Sequence, residues 1–176
     1  MNVLLKSQNM RYLGLMIVLN LLSGCGVTNR LSARTDPPNA VVDQFMHELF
    51  QKDRDLLRDE KFKQKYFSQQ LRRAFDKANK KEGSSPPDRF NTMIFDAWST
   101  PTTYTMGEIE QKTTTATVQV TYLWGPDTQY SGDKRFNSVQ LVAEDGSWRI
   151  DDIFNRKSDF HSEGSVRSSL EKSKEN

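Results

Sequence analysis

The sequence predicts an α+β domain in which N-terminal helices pack on a C-terminal antiparallel sheet of about four strands. Two observations carry this prediction. Apolar residues recur with a helical period in the segment 41–78, and with the alternating period of a strand after Pro101. Short turns separate the strand-like segments, which is typical of an antiparallel meander.

The helical half contains three predicted helices and one further turn. The first helix presents an apolar face made of Val41, Val42, Phe45, Met46, Leu49 and Phe50. A second, short helix is predicted within "DRDLLRDEKFKQKYF". Ser68 is the predicted N-cap of a third helix over "QQLRRAFDKANKK". After the loop "EGSSPPD", the stretch "RFNTMIFDAW" is predicted to hold one more helical turn.

The strand half reads as a meander with one face in the core. In "TATVQVTYLW" the residues that share the predicted core face are Val118, Val120, Tyr122 and Trp124. "RFNSVQLVAE" alternates in the same way and precedes Asp145-Gly146, which is a hairpin signal. "SWRIDDIF" is the last strong strand, and Trp148 is its predicted core residue.

The N-terminus carries a short apolar run that ends at the single cysteine. Tyr12 to Leu22 would cover about 17 Å as a helix, roughly half of a bilayer's hydrocarbon core. Lys6 and Arg11 precede this run, and Ser23-Gly24 follows it. A positive start, a short apolar stretch and a small-residue exit predict a secretory signal peptide.

The exit, Leu22-Ser23-Gly24-Cys25, resembles the lipobox of bacterial lipoproteins. This resemblance implies a lipid on the thiol of Cys25, cleavage just before it and acylation of the new N-terminus. The alternative is an unmodified cysteine in an ordinary signal. In the lipoprotein class an aspartate after the cysteine commonly retains the protein in the inner membrane. Gly26 at that position therefore implies the outer membrane.

The predicted organisation has four parts: a signal peptide at 1–24, a lipidated tether at 25–39, an α+β domain at 40–160 and a polar tail at 161–176. A short helix can form within the tail. Removing 1–24 takes away Lys6 and Arg11 and no acid, so the 25 basic and 23 acidic residues become 23 of each. This neutral balance argues against nucleic acid as a partner. With Cys25 lipidated, no thiol is left for a disulfide, and the fold must depend on its core.

No metal or cofactor site is predicted. "HELFQ" at 47–51 nearly spells the zinc-protease motif H-E-x-x-H, but Gln51 stands where the second histidine would be. The other histidine, His161, falls in the polar tail, and zinc sites need three or four protein ligands. The sequence has neither a phosphate-binding glycine loop nor a nucleophile elbow.

The layout resembles the cone-shaped, cystatin-like fold of the nuclear transport factor two-like and SnoaL-like superfamily. Helices precede the meander, and the chain ends it with Gly146, Trp148, Ile150 and Asp152. It is more closely similar to the YbjP-type group of small bacterial lipoproteins of unknown function. The shared features are the lipobox, "YFSQQL", "WRIDDIF" and "GSVRSSLEKSKEN". The resemblance implies a lipoprotein of the outer membrane that faces the periplasm, and it implies no reaction.

Asp152 is the candidate for chemistry. If Trp148 and Ile150 face the helices, strand alternation places Asp152 and Phe154 on the same side. In an apolar cup an aspartate can serve as a general base, as acids do in isomerases of the superfamily. The alternatives are that Asp152 pairs with an arginine or a backbone amide, or that a bulge turns Ile153 inward and Asp152 outward.

Trp98 and Tyr122 are the other candidate pocket residues, drawn from an aromatic set that is more often simply core. No second acid, tyrosine or histidine is placed beside Asp152, so we expect no catalysis. The expected function is that of a non-enzymatic lipoprotein that binds another envelope component, with a protein favoured. Two alternatives are an immunity-type lipoprotein that neutralises a periplasmic toxin, and a small-ligand or isomerase-like pocket at Asp152.

Overall fold

The helices and the sheet follow one another in the predicted order. The computed structural model describes residues 36–51, 56, 59–82, 93–95, 100–156 and 164–172. The helices are α1 (Pro38–Gln51), α2 (Glu60–Tyr66), α3 (Gln69–Glu82) and α4 (Val166–Lys172). The strands are β1 (Thr103–Gln111), β2 (Thr115–Leu123), β3 (Lys134–Glu144), β4 (Ser147–Asn155) and β5 (Gly164–Ser165).

The strands form one open antiparallel sheet in the order β1-β2-β3-β4-β5, with N-terminal helices packed against it. This confirms the predicted α+β class. The described sheet has five strands, whereas the sequence predicts about four. The additional strand, β5, has only two residues, which is too short for alternation to reveal it.

The helix ends follow from local chemistry. α1 begins at Pro38, two residues inside the predicted tether at 25–39, because proline's fixed φ suits the first helical position. Asp59 caps α2 by accepting a hydrogen bond from the Lys61 amide. The Leu71 amide donates to Ser68 Oγ at 3.0 Å, which confirms the predicted N-cap of α3.

The core lies between the helices and one face of the sheet. α1 contributes Val42, Phe45, Met46 and Leu49 to it. Phe45 lies at the centre of an aromatic cluster whose other rings belong to Phe62, Tyr66 and Phe67. The predicted core face of β2 is buried from Val118 to Trp124, and Trp148 is 1% exposed, as predicted.

The turn between β3 and β4 is defined by its backbone angles. Asp145 and Gly146 both have positive φ, at 49° and 76°, as a type I′ turn requires, which confirms the predicted hairpin.

Residues 93–95 are helical. Asn137 and Asn155, which face each other on β3 and β4, donate through Nδ2 to the carbonyls of Ile94 and Met93. The sheet therefore holds this helical stretch by its backbone.

The outer edge of β4 is covered at two places. The Ser68 amide donates to the Ile150 carbonyl at 2.8 Å, where Phe67 forms a parallel bridge with Ile150. Further along, β5 pairs with Phe154 and Asn155. Val166 and Leu170 of α4 are buried, so part of the predicted tail at 161–176 belongs to the core.

The open face of the sheet as a candidate functional site

Some predicted site residues lie outside the part of the chain that the structure describes. These are Cys25, Trp98 and His161. In the described residues, none of the helices has both the length and the apolar character needed to cross a membrane.

A β-bulge in β4 decides which way its last residues face. Leu141 pairs with Ile150 and Gln140 pairs with Asp152, which leaves Asp151 as the extra residue. Because the bulge resets the alternation, Ile153 is fully buried. Phe154 is 37% exposed, so the prediction that Phe154 faces the helices is wrong.

Asp152 is buried and fully engaged. Its side chain is opposite Gln140, which is exposed, yet Asp152 itself is only 1% exposed. Its Oδ1 accepts hydrogen bonds from the amides of Ile153 at 2.8 Å and Arg167 at 3.0 Å. Its Oδ2 lies 3.7 Å from Nε of Arg167. This is the arrangement of an arginine-paired, amide-bonded aspartate, and it favours a structural role.

Asp151 joins three elements at the same bulge. Ser68 Oγ donates to Asp151 Oδ1 at 2.6 Å, and Arg167 Nη1 donates to Asp151 Oδ2 at 2.7 Å. Ser68 precedes α3, and Arg167 lies in the first turn of α4. Close by, the Gln69 amide donates to the carboxylate of Glu144 at 3.0 Å. The acids at this end of the sheet therefore hold α3 and α4 in place.

Tyr122 is a core residue. Its hydroxyl lies 3.7 Å from the sulfur of Met46, and its ring meets Phe95 edge-on at 5.1 Å. Burial strongly raises the pKa of the Tyr122 hydroxyl, while a hydrogen bond with Asn137 lowers it. The phenol thus stays protonated over the physiological pH range.

Asp152 and Tyr122 do not line a common pocket. Across the sheet Asp152 aligns with Gln140 and then with Thr117 of β2. Thr117 is five residues from Tyr122, or about 17 Å along the strand. The two side chains also have different neighbours, because Tyr122 contacts Met46 and Phe95, whereas Asp152 contacts Arg167 of α4.

His47 has a neighbour on its own helix. Its Nε2 lies 2.7 Å from Nε2 of Gln51, one turn later in α1. Within the described residues, His, Cys, Asp and Glu side chains nowhere form a group of three that could hold a metal ion.

The face of β1 to β4 that points away from the helices, here called the open face, is solvent-accessible. Its side chains form rows across the strands, because directly opposite residues in an antiparallel sheet point the same way. Four rows are defined by the register: Thr103–Leu123–Lys134, Thr105–Thr121–Phe136, Gln119–Ser138–Phe154 and Glu110–Thr117–Gln140–Asp152.

Two phenylalanines are exposed on the open face. Phe136 is 47% exposed and Phe154 is 37% exposed. Phe154 is opposite Ser138, two residues from Phe136 on β3, so the two rings are diagonal neighbours. Ile109, the third large exposed apolar residue among those described, pairs with the buried Val118 and belongs to the other face.

A polar groove of about 310 Å³ crosses the same face beside this pair. Its lining residues are Glu110, Lys112, Thr115, Ala116, Thr117, Gln140, Leu141, Val142 and Asp151. The groove follows the row from Glu110 to Gln140 and ends at the bulge. It offers carboxylate, amide, hydroxyl and ammonium groups, which suit hydrogen bonding to a partner or ligand.

Sequence reasoning missed this surface. A signal was present in β3, where Phe136 lies on the polar side of an alternating strand. No local signal was present for Phe154, because its direction depends on the bulge at Asp151.

A comparison of the chain with protein-family models, with curated proteins and with solved structures finds no match. The geometry of the open face is therefore the basis of the functional argument.

Proposed function

We propose that this chain is a non-enzymatic, lipid-anchored protein of the outer membrane, whose periplasm-facing domain binds another envelope protein through the open face. The anchor in this proposal is Cys25, at the end of the lipobox-like sequence. Binding is assigned to the surface that contains Phe136 and Phe154.

One observation carries the proposal: two aromatic side chains, Phe136 and Phe154, lie exposed next to each other on the open face of the sheet. Exposed contiguous apolar surface marks interaction sites, and aromatic residues are enriched at the centres of protein interfaces. The adjoining groove adds polar groups, which resembles the polar surround of an interface core.

The contacts of Asp151 and Asp152 support binding over catalysis by these two acids. Asp152 accepts two backbone hydrogen bonds and faces Arg167, and Asp151 accepts from Ser68 and Arg167. A general base needs a carboxylate within reach of the substrate proton. These carboxylates are instead committed to joining the sheet to α3 and α4.

Photo-crosslinking in intact cells tests this proposal. A photoreactive residue is placed at Phe136 in the full-length lipidated chain and, as matched controls, at the exposed helix residues Gln70 and Lys77. We expect a discrete adduct with an envelope protein from position 136 and none from 70 or 77. Adducts from the helix positions alone would place the binding surface elsewhere. A secreted toxin as the crosslinked protein would favour the immunity-type alternative.

A further inference from the structure

Positive charges accompany the two exposed phenylalanines. Lys134 and Phe136 are two residues apart on β3, so alternation places both on the open face. The Arg156 amide donates to the Phe136 carbonyl at 3.1 Å, which continues the ladder past Asn155 and sets Arg156 opposite Phe136. The side chains of Lys134 and Arg156 are both exposed.

This end of the open face is cationic. The residues that the register pairs in the rows through Lys134, Phe136 and Phe154 include no acid; their other members are Thr103, Leu123, Thr105, Thr121, Gln119 and Ser138. Glu108 of β1 lies in the bulge between Met106 and Ile109, outside these paired rows. Asp133, the acid next to β3 in the chain, lies 3.7 Å from Arg135. Arg135 is buried, and its guanidinium stacks over Trp124 and Tyr130 rather than on the open face.

We infer that the end of the open face made by Lys134, Phe136, Phe154 and Arg156 binds a segment of a partner protein in which acidic residues flank an apolar one. The inference rests on the proposed function and specifies the partner's chemistry. The two phenylalanine rings receive the apolar side chain. Lys134 and Arg156 pair with the flanking carboxylates, and the Arg156 fork suits bidentate pairing.

The surface fits a protein segment better than an anionic lipid surface. Lipid-binding patches typically carry about four to eight Lys or Arg residues, whereas the described residues at this end of the face include two, Lys134 and Arg156. Its polar groups are also held in place, as in the 2.8 Å hydrogen bond from Ser138 Oγ to Gln119 Oε1.

Charge reversal, read by crosslinking in cells, tests the inference. The photoreactive residue is placed at Thr121, which is opposite Phe136, in the full-length chain that carries either the native residues or Lys134→Glu with Arg156→Glu. We expect the reversal to lower the adduct yield about tenfold. The matched control is Lys61→Glu with Lys77→Glu, two exposed lysines on α2 and α3, and it should leave the yield unchanged.

Two further measurements separate charge from folding. The conservative variant Lys134→Arg with Arg156→Lys should retain most of the adduct, and the reversed variant should melt at the native temperature because both side chains are exposed. Mass spectrometry of the adduct should show a partner peptide with Asp or Glu beside an apolar residue.

The outcomes distinguish the two proposals. An adduct that persists after charge reversal, or a crosslinked peptide without acids, overturns the inference and leaves the proposed function standing. Crosslinking to lipid alone, or no adduct from any open-face position, overturns both.

Discussion

At the scale of single residues, Asp152 has the environment of a structural carboxylate. It is buried, it accepts two backbone amides, and Arg167 lies beside it. Buried charges are tolerated when they are paired and hydrogen-bonded, and removing one partner is costly. The residue thereby fixes the first turn of α4 against β4.

Asp152→Asn should therefore fold and bind normally. The asparagine oxygen can still accept from the amides of Ile153 and Arg167, while the charge facing the arginine is lost. We expect the free energy of unfolding to fall by about 1 kcal/mol, measured by urea denaturation. Crosslinking from position 136 should be unchanged. A well-folded Asp152→Asn protein that loses its cellular phenotype would instead show that the carboxylate has a chemical role.

The raised pKa values of two tyrosines make the free energy of unfolding depend on pH in the alkaline range. Burial and the hydrogen bond to Asp43 raise the pKa of Tyr104 from 10.0 to about 12, and burial raises the pKa of Tyr122 as well. An unfolded tyrosine ionises near pH 10. Above that pH the unfolded chain holds fewer protons than the folded one, so the free energy of unfolding falls as the pH rises from about 10 to 12.

Urea denaturation between pH 9 and about 12 measures this slope. We expect Tyr104→Phe and Tyr122→Phe each to make it shallower, because each removes one group that titrates differently in the two states. If both variants and the native chain show the same slope, the pH dependence does not come from these two tyrosines.

At the scale of elements, local signals and long-range contacts differ in how well they can be predicted. The α3 N-cap at Ser68 and the Asp145-Gly146 turn are fixed by neighbouring residues, and both predictions are confirmed. The hydrogen bond from Ser68 to Asp151 joins residues 83 positions apart, and no period in the sequence reports it.

The candidate site was less predictable than the fold for the same reason. Alternation identifies the core face of β2 and of β4 up to Ile150, since each residue there follows the pleat. The bulge at Asp151 depends on pairing with β3, and it reverses the direction of Phe154. One inserted residue in the ladder thus places Ile153 in the core instead of Phe154. It leaves Phe154 exposed as one of the two phenylalanines on the open face.

Ser68→Ala tests the junction between α3 and β4. It removes the acceptor of the Leu71 amide and the donor to Asp151 together. We expect a loss of about 1–2 kcal/mol in the free energy of unfolding, at the upper end of helix-cap effects. Ser131→Ala, at an exposed turn position, is the matched control and should change it by less than about 0.5 kcal/mol. Equal losses in the free energy of unfolding from the two substitutions would show that Ser68 does not join α3 to β4.

At the scale of the whole molecule, the two faces of the sheet differ in burial and in the side chains that they present. The inner face is buried against helices and supplies the core, whereas the open face presents Phe136 and Phe154 beside Lys134 and Arg156, and a groove. In the proposed arrangement Cys25 holds the domain at the membrane. The 12 residues between Cys25 and Pro38 can span at most about 43 Å, which sets the reach of the domain from the lipid surface.

Cys25→Ser tests the anchor independently of the open face. Serine lacks the sulfur that carries the lipid, so we expect loss of acyl labelling and accumulation of the unprocessed precursor. Metabolic labelling with a radioactive fatty acid measures the acylation, and an immunoblot of the same samples shows whether the longer precursor accumulates. A labelled and normally processed Cys25→Ser protein would show that the lipobox reading is wrong.

The double substitution Phe136→Thr with Phe154→Thr tests most directly that the open face binds and the inner face stabilises. Threonine keeps the strand propensity and removes the aromatic surface, so we expect a stability loss of at most about 1 kcal/mol per site. Trp148→Ala on the inner face should cost about 3–5 kcal/mol. The measurement is the yield of the adduct from a photoreactive residue at Gln140, made in intact cells and set beside the urea denaturation curve. We expect a folded double variant that forms no adduct; a folded double variant with the native yield would show that the two rings do not bind the partner.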